Sequence, residues 1–221
     1  MQYIKNGFHV HAIHALLQLW THNTFLAATV SIKLYSLNYF FWFGHHYTYL
    51  KRHNWVKQFI RFTDTGHIAS FLLLLPGLQP FLPVAHNVHF IIMIGYWAGK
   101  LLFGLKDADR LVTPGLVEWH LDLCTYIHHT LPYLMIHYFA ATQDQTAEYN
   151  GQTLLWTYAW LYAWFTLIYL PWRIYTRDPV YSILDQKQTT PMTMALFVLF
   201  VHVLVALSNY VGYGLHALQH P

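Results

Sequence analysis

Residues 116–140, LVEWHLDLCTYIHHTLPYLMIHYFA, are long and apolar enough to cross a bilayer, yet Glu118, His120, Asp122, His128, His129 and His137 lie within them. At about 100° per residue, Glu118, Asp122, Tyr126, His129, Tyr133 and His137 share one face of a helix, so a polar stripe runs along the segment. Ionisable groups are costly in lipid; as a rule they face a bundle interior, where they pair or do chemistry. A chain carrying such a segment has to build a protein interior around it.

The rest of the chain offers the partners. Of its 221 residues, 56% are hydrophobic and 10% charged, a balance that excludes an ordinary soluble domain and points to a polytopic membrane protein. Hydropathy predicts six crossings, at Thr24–Gly44, Gly66–Val84, Val88–Leu105, Leu116–Ala140, Thr153–Trp172 and Pro191–Leu215. The expected fold is therefore all-α: residues 1–221 form a single membrane domain, with a six-helix bundle over 24–215. The second crossing is interrupted by Pro76-Gly77 and ends in Pro80 and Pro83, so it is expected to be kinked, short or re-entrant. Before the first crossing, Phe8, Ile13, Leu16, Leu17 and Trp20 alternate with His9, His11, His14 and His22, which predicts an interfacial amphipathic helix over 1–22.

Loop charge orients the set. Lys51, Arg52, Lys57 and Arg61 follow the first crossing, Lys106 and Arg110 the third, and Arg173, Arg177 and Lys187 the fifth. The 141–152 loop instead carries Asp144 and Glu148. The positive-inside rule is met with one orientation, in which both termini face the outside compartment. No charged n-region followed by an apolar core opens the chain, so no cleaved leader is expected. The 12 basic residues are spread over short loops without a basic block, and nucleic acid is not an expected partner. Cys124 is the only cysteine, which excludes an intrachain disulfide and cysteine-rich zinc or iron–sulfur centres.

Seventeen histidines turn attention to imidazole chemistry, which serves metals, haem and protons. Three readings compete. A haem b needs imidazoles from two helices at equal depth, and His128 or His129 with His202 meets that requirement. A metal ion such as zinc, iron or copper would draw on Asp122, His129 and His202, although no HExxH motif is present. The ladder Asp122, Tyr126, His129 and Tyr133 could instead relay protons or hold a polar headgroup with no cofactor. Lys33 in the first crossing, and Asn209, Tyr213 and His216 on the face of His202 in the sixth, extend the polar interior. His86 and His89 flank the outer start of the third crossing, where headgroup contacts are expected. His67 and Ser70 are expected near the inner start of the second.

The stretch Gly66–Tyr138, with GHIAS, IGYWAGKLLF and YIHHTLPYL, resembles the TLC-type membrane domain of ceramide synthases and relatives, in which an HH pair follows a GY-containing helix. The resemblance covers about a third of the chain. It implies acyl transfer or lipid handling at His128 and His129. The next helix reads GQTLLWTYAWLYAWF and lacks the paired aspartates of ceramide synthases.

The expected function is that of a histidine-rich, multi-pass subunit of a larger respiratory-type complex, in an energy-converting membrane such as the mitochondrial inner or bacterial plasma membrane. Its role would be redox, through haem b or a metal, or proton relay, with membrane lipids and other membrane subunits as partners. A TLC-like lipid or acyl-transfer enzyme and a structural lipid-binding accessory subunit are the alternatives.

Overall fold

The computed structural model describes residues 60–73, 75, 77–103, 126, 129–142, 148–187 and 189–219. The expected interfacial helix, the first crossing with Lys33, and Glu118, His120, Asp122, Cys124 and His128 lie outside the described residues. Among the described residues every regular element is helical.

Helix α1, Phe62–Leu72, opens with Asp64 in its first turn, where a carboxylate suits the positive helix end. It stops ahead of a turn in which Gly77 takes φ 83°, a left-handed conformation that costs glycine little. One 3₁₀ turn, Gln79–Phe81, leads into α2, Leu82–Phe103. Pro83 sits in the first turn of α2, where a missing N–H leaves no bond unmade. The 11 residues of α1 rise only about 16 Å, roughly half a hydrocarbon core. The expected second crossing, Gly66–Val84, is thus no single span: it is α1, a turn and the start of α2. Backbone donors removed by proline and a left-handed glycine explain the break. The resulting hairpin also corrects an expected depth, because it brings Ser70 of α1 level with His89 of α2.

Helix α3 covers Leu131–Thr142. Helix α4, Gly151–Ala163, starts at Asn150, whose side chain accepts from the Gln152 and Thr153 amides. It runs on through a π-helical stretch, Trp164–Tyr169, into α5, Leu170–Thr176. Pro171 supplies the reason for the widening, since its ring collides with the preceding turn and it has no N–H to give. Arg177, at φ 60°, ends the segment. Helix α6, Pro191–Gln219, starts with Thr190 Oγ1 accepting from the Thr193 amide. Its stretch Pro191–Leu218 is long and apolar enough to cross a membrane.

Helix α2 is the hub, packing on α1, α3, α4 and α6. Val88, Phe90, Ile91 and Ile92 of α2 meet Tyr133, Leu161, Trp164, Leu204 and Val205 in the main core. Ala69, Leu73, Leu82, Ala85 and Ile136 form a second one. The far sides of α4 to α6 are apolar and open: Leu155, Leu167, Ile174, Leu199 and Val203 are all more than half exposed.

Two helix glycines give this packing a test. Gly212 is buried with the ring of Tyr149 against it, so a Cβ there would overlap Cε1, Cδ1 and Cζ of that ring, whereas a Cβ at Gly214 meets nothing within 4 Å. Gly212→Ala should destabilise the detergent-solubilised protein by about 1–3 kcal/mol through overpacking. Gly214→Ala should be neutral or stabilising by up to about 1 kcal/mol. Thermal unfolding of the two variants checks the contrast; equal midpoints would contradict the seating of Tyr149.

Candidate functional site

The first half of α2 reads LPVAHNVH, and His86, Asn87 and His89 project in three directions separated by multiples of 100°. A helix polar on several sides can be buried only if each side finds a partner. Here each does: His86 faces α3, Asn87 faces α4 and α6, and His89 faces α1. All three are at most 1% exposed.

Asn87 joins three helices. Its amide nitrogen donates to Thr157 Oγ1 at 3.1 Å and to Asn209 Oδ1 at 3.2 Å, and Thr157 passes its own proton to the Thr153 carbonyl. Its carbonyl oxygen lies 3.2 Å from His86 Nδ1. That oxygen can only accept, so His86 carries its proton on Nδ1 and keeps a lone pair on Nε2. His86 Nε2 is buried and has no hydrogen-bond partner. Around His86 stand the rings of Tyr133 at 5.3 Å, His137 at 5.4 Å and Tyr149 at 5.3 Å. Burial pushes the Tyr149 phenol above its ordinary value, with nearby Tyr133 adding to the effect.

One turn further along α2, His89 Nε2 lies 2.7 Å from Ser70 Oγ. His67 meets His89 edge-on at 5.9 Å. Two turns beyond, His129 stacks on Tyr96 with ring centres 3.7 Å apart, and its Nε2 is 3.4 Å from Thr63 Oγ1. Lys100 Nζ lies 5.1 Å from the same tyrosine ring.

The described part of the expected stripe therefore lies along α2, in antiparallel order. Tyr126, largely exposed, meets Trp97; His129 meets Tyr96; Tyr133 meets Phe90 and His86; and His137 meets His86. Among the described residues, α3 and α6 each pack chiefly on α2. His202 belongs to another pair of helices. Its Nδ1 donates to the Val198 carbonyl at 2.7 Å, and its Nε2 accepts from Tyr162 Oη at 2.7 Å, while Tyr158 Oη donates to its backbone oxygen. Both ring nitrogens are engaged, so ligating iron or another metal would cost His202 its bond to Tyr162. Asp122 and His128 lie outside the described residues. Among the described residues no three His, Cys, Asp or Glu side chains converge as a metal cage.

Asn87 and the unpaired His86 nitrogen were not among the residues expected to carry function. The signal was nonetheless present in the sequence, as polar residues at 86, 87 and 89 inside an otherwise apolar helix.

Asn87→Leu keeps the size of the side chain but removes the donor to Thr157 and Asn209 and strands the buried Nδ1 of His86. Each stranded buried group costs about 1–3 kcal/mol, whereas Tyr162→Phe removes one partly exposed bond worth about 0.5–1.5 kcal/mol. Thermal unfolding in detergent should rank Asn87→Leu well below Tyr162→Phe, and the reverse order would contradict the central role of Asn87. Comparison of the chain with family models, with curated proteins and with solved structures finds no match, so its own residues carry the functional reading.

Proposed function

We propose that the chain is a multi-pass integral membrane protein whose polar interior relays protons, as one subunit of an energy-converting membrane assembly. The observation that carries this reading is a set of buried polar side chains within the apolar core, beside an apolar outer surface that is left open. Ser70, His86, Asn87, Thr157 and Ser208 are fully buried, while Leu167, Ile174, Leu199 and Tyr210 lie open. In water the open apolar surface is unfavourable; in lipid that cost disappears, and polar side chains gain by pairing inside the protein, where acyl chains offer no hydrogen bonds. Only 17% of the central window of α6 is buried within the protein, which leaves most of its apolar surface for acyl chains.

Charge supports an orientation. Contacts of His86 with His137 and Tyr149, and of Asn87 with Asn209, gather the start of α2, the end of α3, the start of α4 and the late part of α6 at one end of the bundle. That end carries Glu148, and the opposite end carries Arg173, Arg177 and Lys187. The basic end is the inner side.

A relay needs titratable groups at successive depths. Along α2 the levels of His86, His89 and Tyr96 with its stacked His129 span about 15 Å at 1.5 Å per residue. Haem ligation by His129 and His202 is the weaker form of the proposal, because His202 would have to give up Tyr162. A second reading, TLC-like lipid or acyl transfer, is favoured by one observation: His129 of the HH pair stacks on Tyr96 of the IGYWAGKLLF segment, so two of the pieces that carry the resemblance meet.

Three measurements test the proposal. In a Cys124→Ser background, cysteines at Glu148 and Lys187 should react with membrane-impermeant reagents from opposite sides, and same-side labelling would overturn the topology. In proteoliposomes with an internal pH dye, the wild type should pass protons, and Asp122→Asn or His129→Gln should slow the flux at least about tenfold without loss of folded protein. Flux equal to that of empty vesicles would contradict the relay, and acyl transfer from an activated acyl donor, lost in His129→Gln, would select the second reading. The absorption spectrum should lack a Soret band; a Soret band with split alpha bands would select haem.

A further inference from the structure

Among the described residues, Nε2 of His86 is a buried polar atom whose state follows from its neighbours and which has no hydrogen-bond partner. Asn87 fixes the tautomer: both uses of its amide nitrogen are taken by Thr157 and Asn209, so its oxygen holds the Nδ1 proton of His86. A histidine oriented in this way, with one nitrogen tied to an acceptor and the other presenting a lone pair, is how proteins hold a metal-binding imidazole. His86 is wholly buried, and a lone pair left empty there is costly unless an ion or a water completes it.

A second imidazole stands beside it. His137 lies 5.4 Å from His86, ring centre to ring centre, is half-buried, and has no hydrogen-bond partner among the described residues. Two imidazoles that share one ion at about 2.0–2.1 Å have ring centres about 5–6 Å apart, depending on the angle at the metal. Tyr149 packs on His86 from the chain segment just before α4, and its ring is followed by that of His216 at 6.5 Å. The pair therefore sits at the Glu148 end of the bundle, with His86 wholly buried and His137 half-buried beside it.

We propose that His86 and His137 bind one zinc-like divalent ion, through Nε2 of His86 and a ring nitrogen of His137, with solvent completing a tetrahedral shell. The site differs from the metal set expected from the sequence, His129, His202 and Asp122, and it stands independently of the relay reading. Imidazole donors in a neutral, partly apolar setting favour zinc or copper over magnesium or calcium. The site holds an ion at the mouth of the bundle, where it ties α2 to α3.

The test is titration of the purified, chelator-treated full-length protein in detergent with zinc, and with cobalt as the spectroscopic substitute. One equivalent should bind, and the cobalt form should show the visible bands of a tetrahedral site. His86→Gln and His137→Gln should each weaken that equivalent at least tenfold, while His129→Gln and His202→Gln leave it unchanged. Thermal unfolding of each variant shows whether it is folded, and His137→Gln, which removes a half-buried side chain without hydrogen bonds, serves as the variant expected to fold normally. Zinc binding unchanged in folded His137→Gln overturns the proposal, as does the absence of any saturable equivalent in the wild type; in either case a buried water fills the place beside His86.

Discussion

Asn87 makes the hydrogen bonds on which the bundle depends. A single amide on α2 spans the gap to Thr157 on α4 and to Asn209 on α6, and its oxygen sets the tautomer of His86 toward α3. In a lipid environment the apolar effect does little to bring helices together, because acyl chains solvate leucine as well as another leucine does. Specificity then comes from close packing and from polar groups that would otherwise go unsatisfied. Asn87, the Ser70–His89 bond and the ring of Tyr149 against Gly212 are three such devices, and they converge on the same half of α2.

The aromatic residues extend the same logic. Indole nitrogens of Trp97, Trp160 and Trp164 donate to Thr130, to Thr65 and to the Ile60 carbonyl, so large apolar rings are pinned by one polar bond each. The first ties α2 to the residue before α3, and the other two link α1 and the residues before it to α4 and the π-helical stretch that follows. Where the chain widens at Trp164–Tyr169, Trp164 turns inward against Phe62 at 5.2 Å, so the local distortion forced by Pro171 places a core side chain. Outside this framework the surface of α4 to α6 is apolar, as a lipid-facing surface should be.

Much of the helical architecture was legible in the sequence, and the interior less so. Long apolar runs located α6 and the α4–α5 segment to within a few residues at their starts, because nothing in those runs competes with helix. The second crossing, expected to be kinked, short or re-entrant, is broken into α1 and the start of α2, where the turn at Gly77 outweighs the apolarity around it. Periodicity placed Tyr126, His129, Tyr133 and His137 on one face, and the described part of that face does meet protein. A helical period names the buried face but not the helix that buries it, which here is α2. His86 was assigned to the headgroup zone by its position near a predicted span end. Helix α2 begins at Leu82, six residues before the expected start, which carries His86 into the interior. Asn87 attracted no attention because an asparagine pattern has no periodicity of its own; only three-dimensional contacts reveal that it joins three helices.

In the proposed membrane setting the open apolar faces of α4 to α6 meet lipid, while Asn87, Thr157 and Ser208 stay inside with the apolar core. Spin labels placed singly along α6 in proteoliposomes measure this arrangement directly, through collision with oxygen, which concentrates in lipid, and with a water-soluble nickel chelate. Labels at Leu199, Val203 and Leu207 should collide freely with oxygen and not with the chelate, whereas labels at Val205 and Ser208 should be shielded from both. Chelate collisions at Leu199 and Val203 equal to those of a label in water would contradict the account.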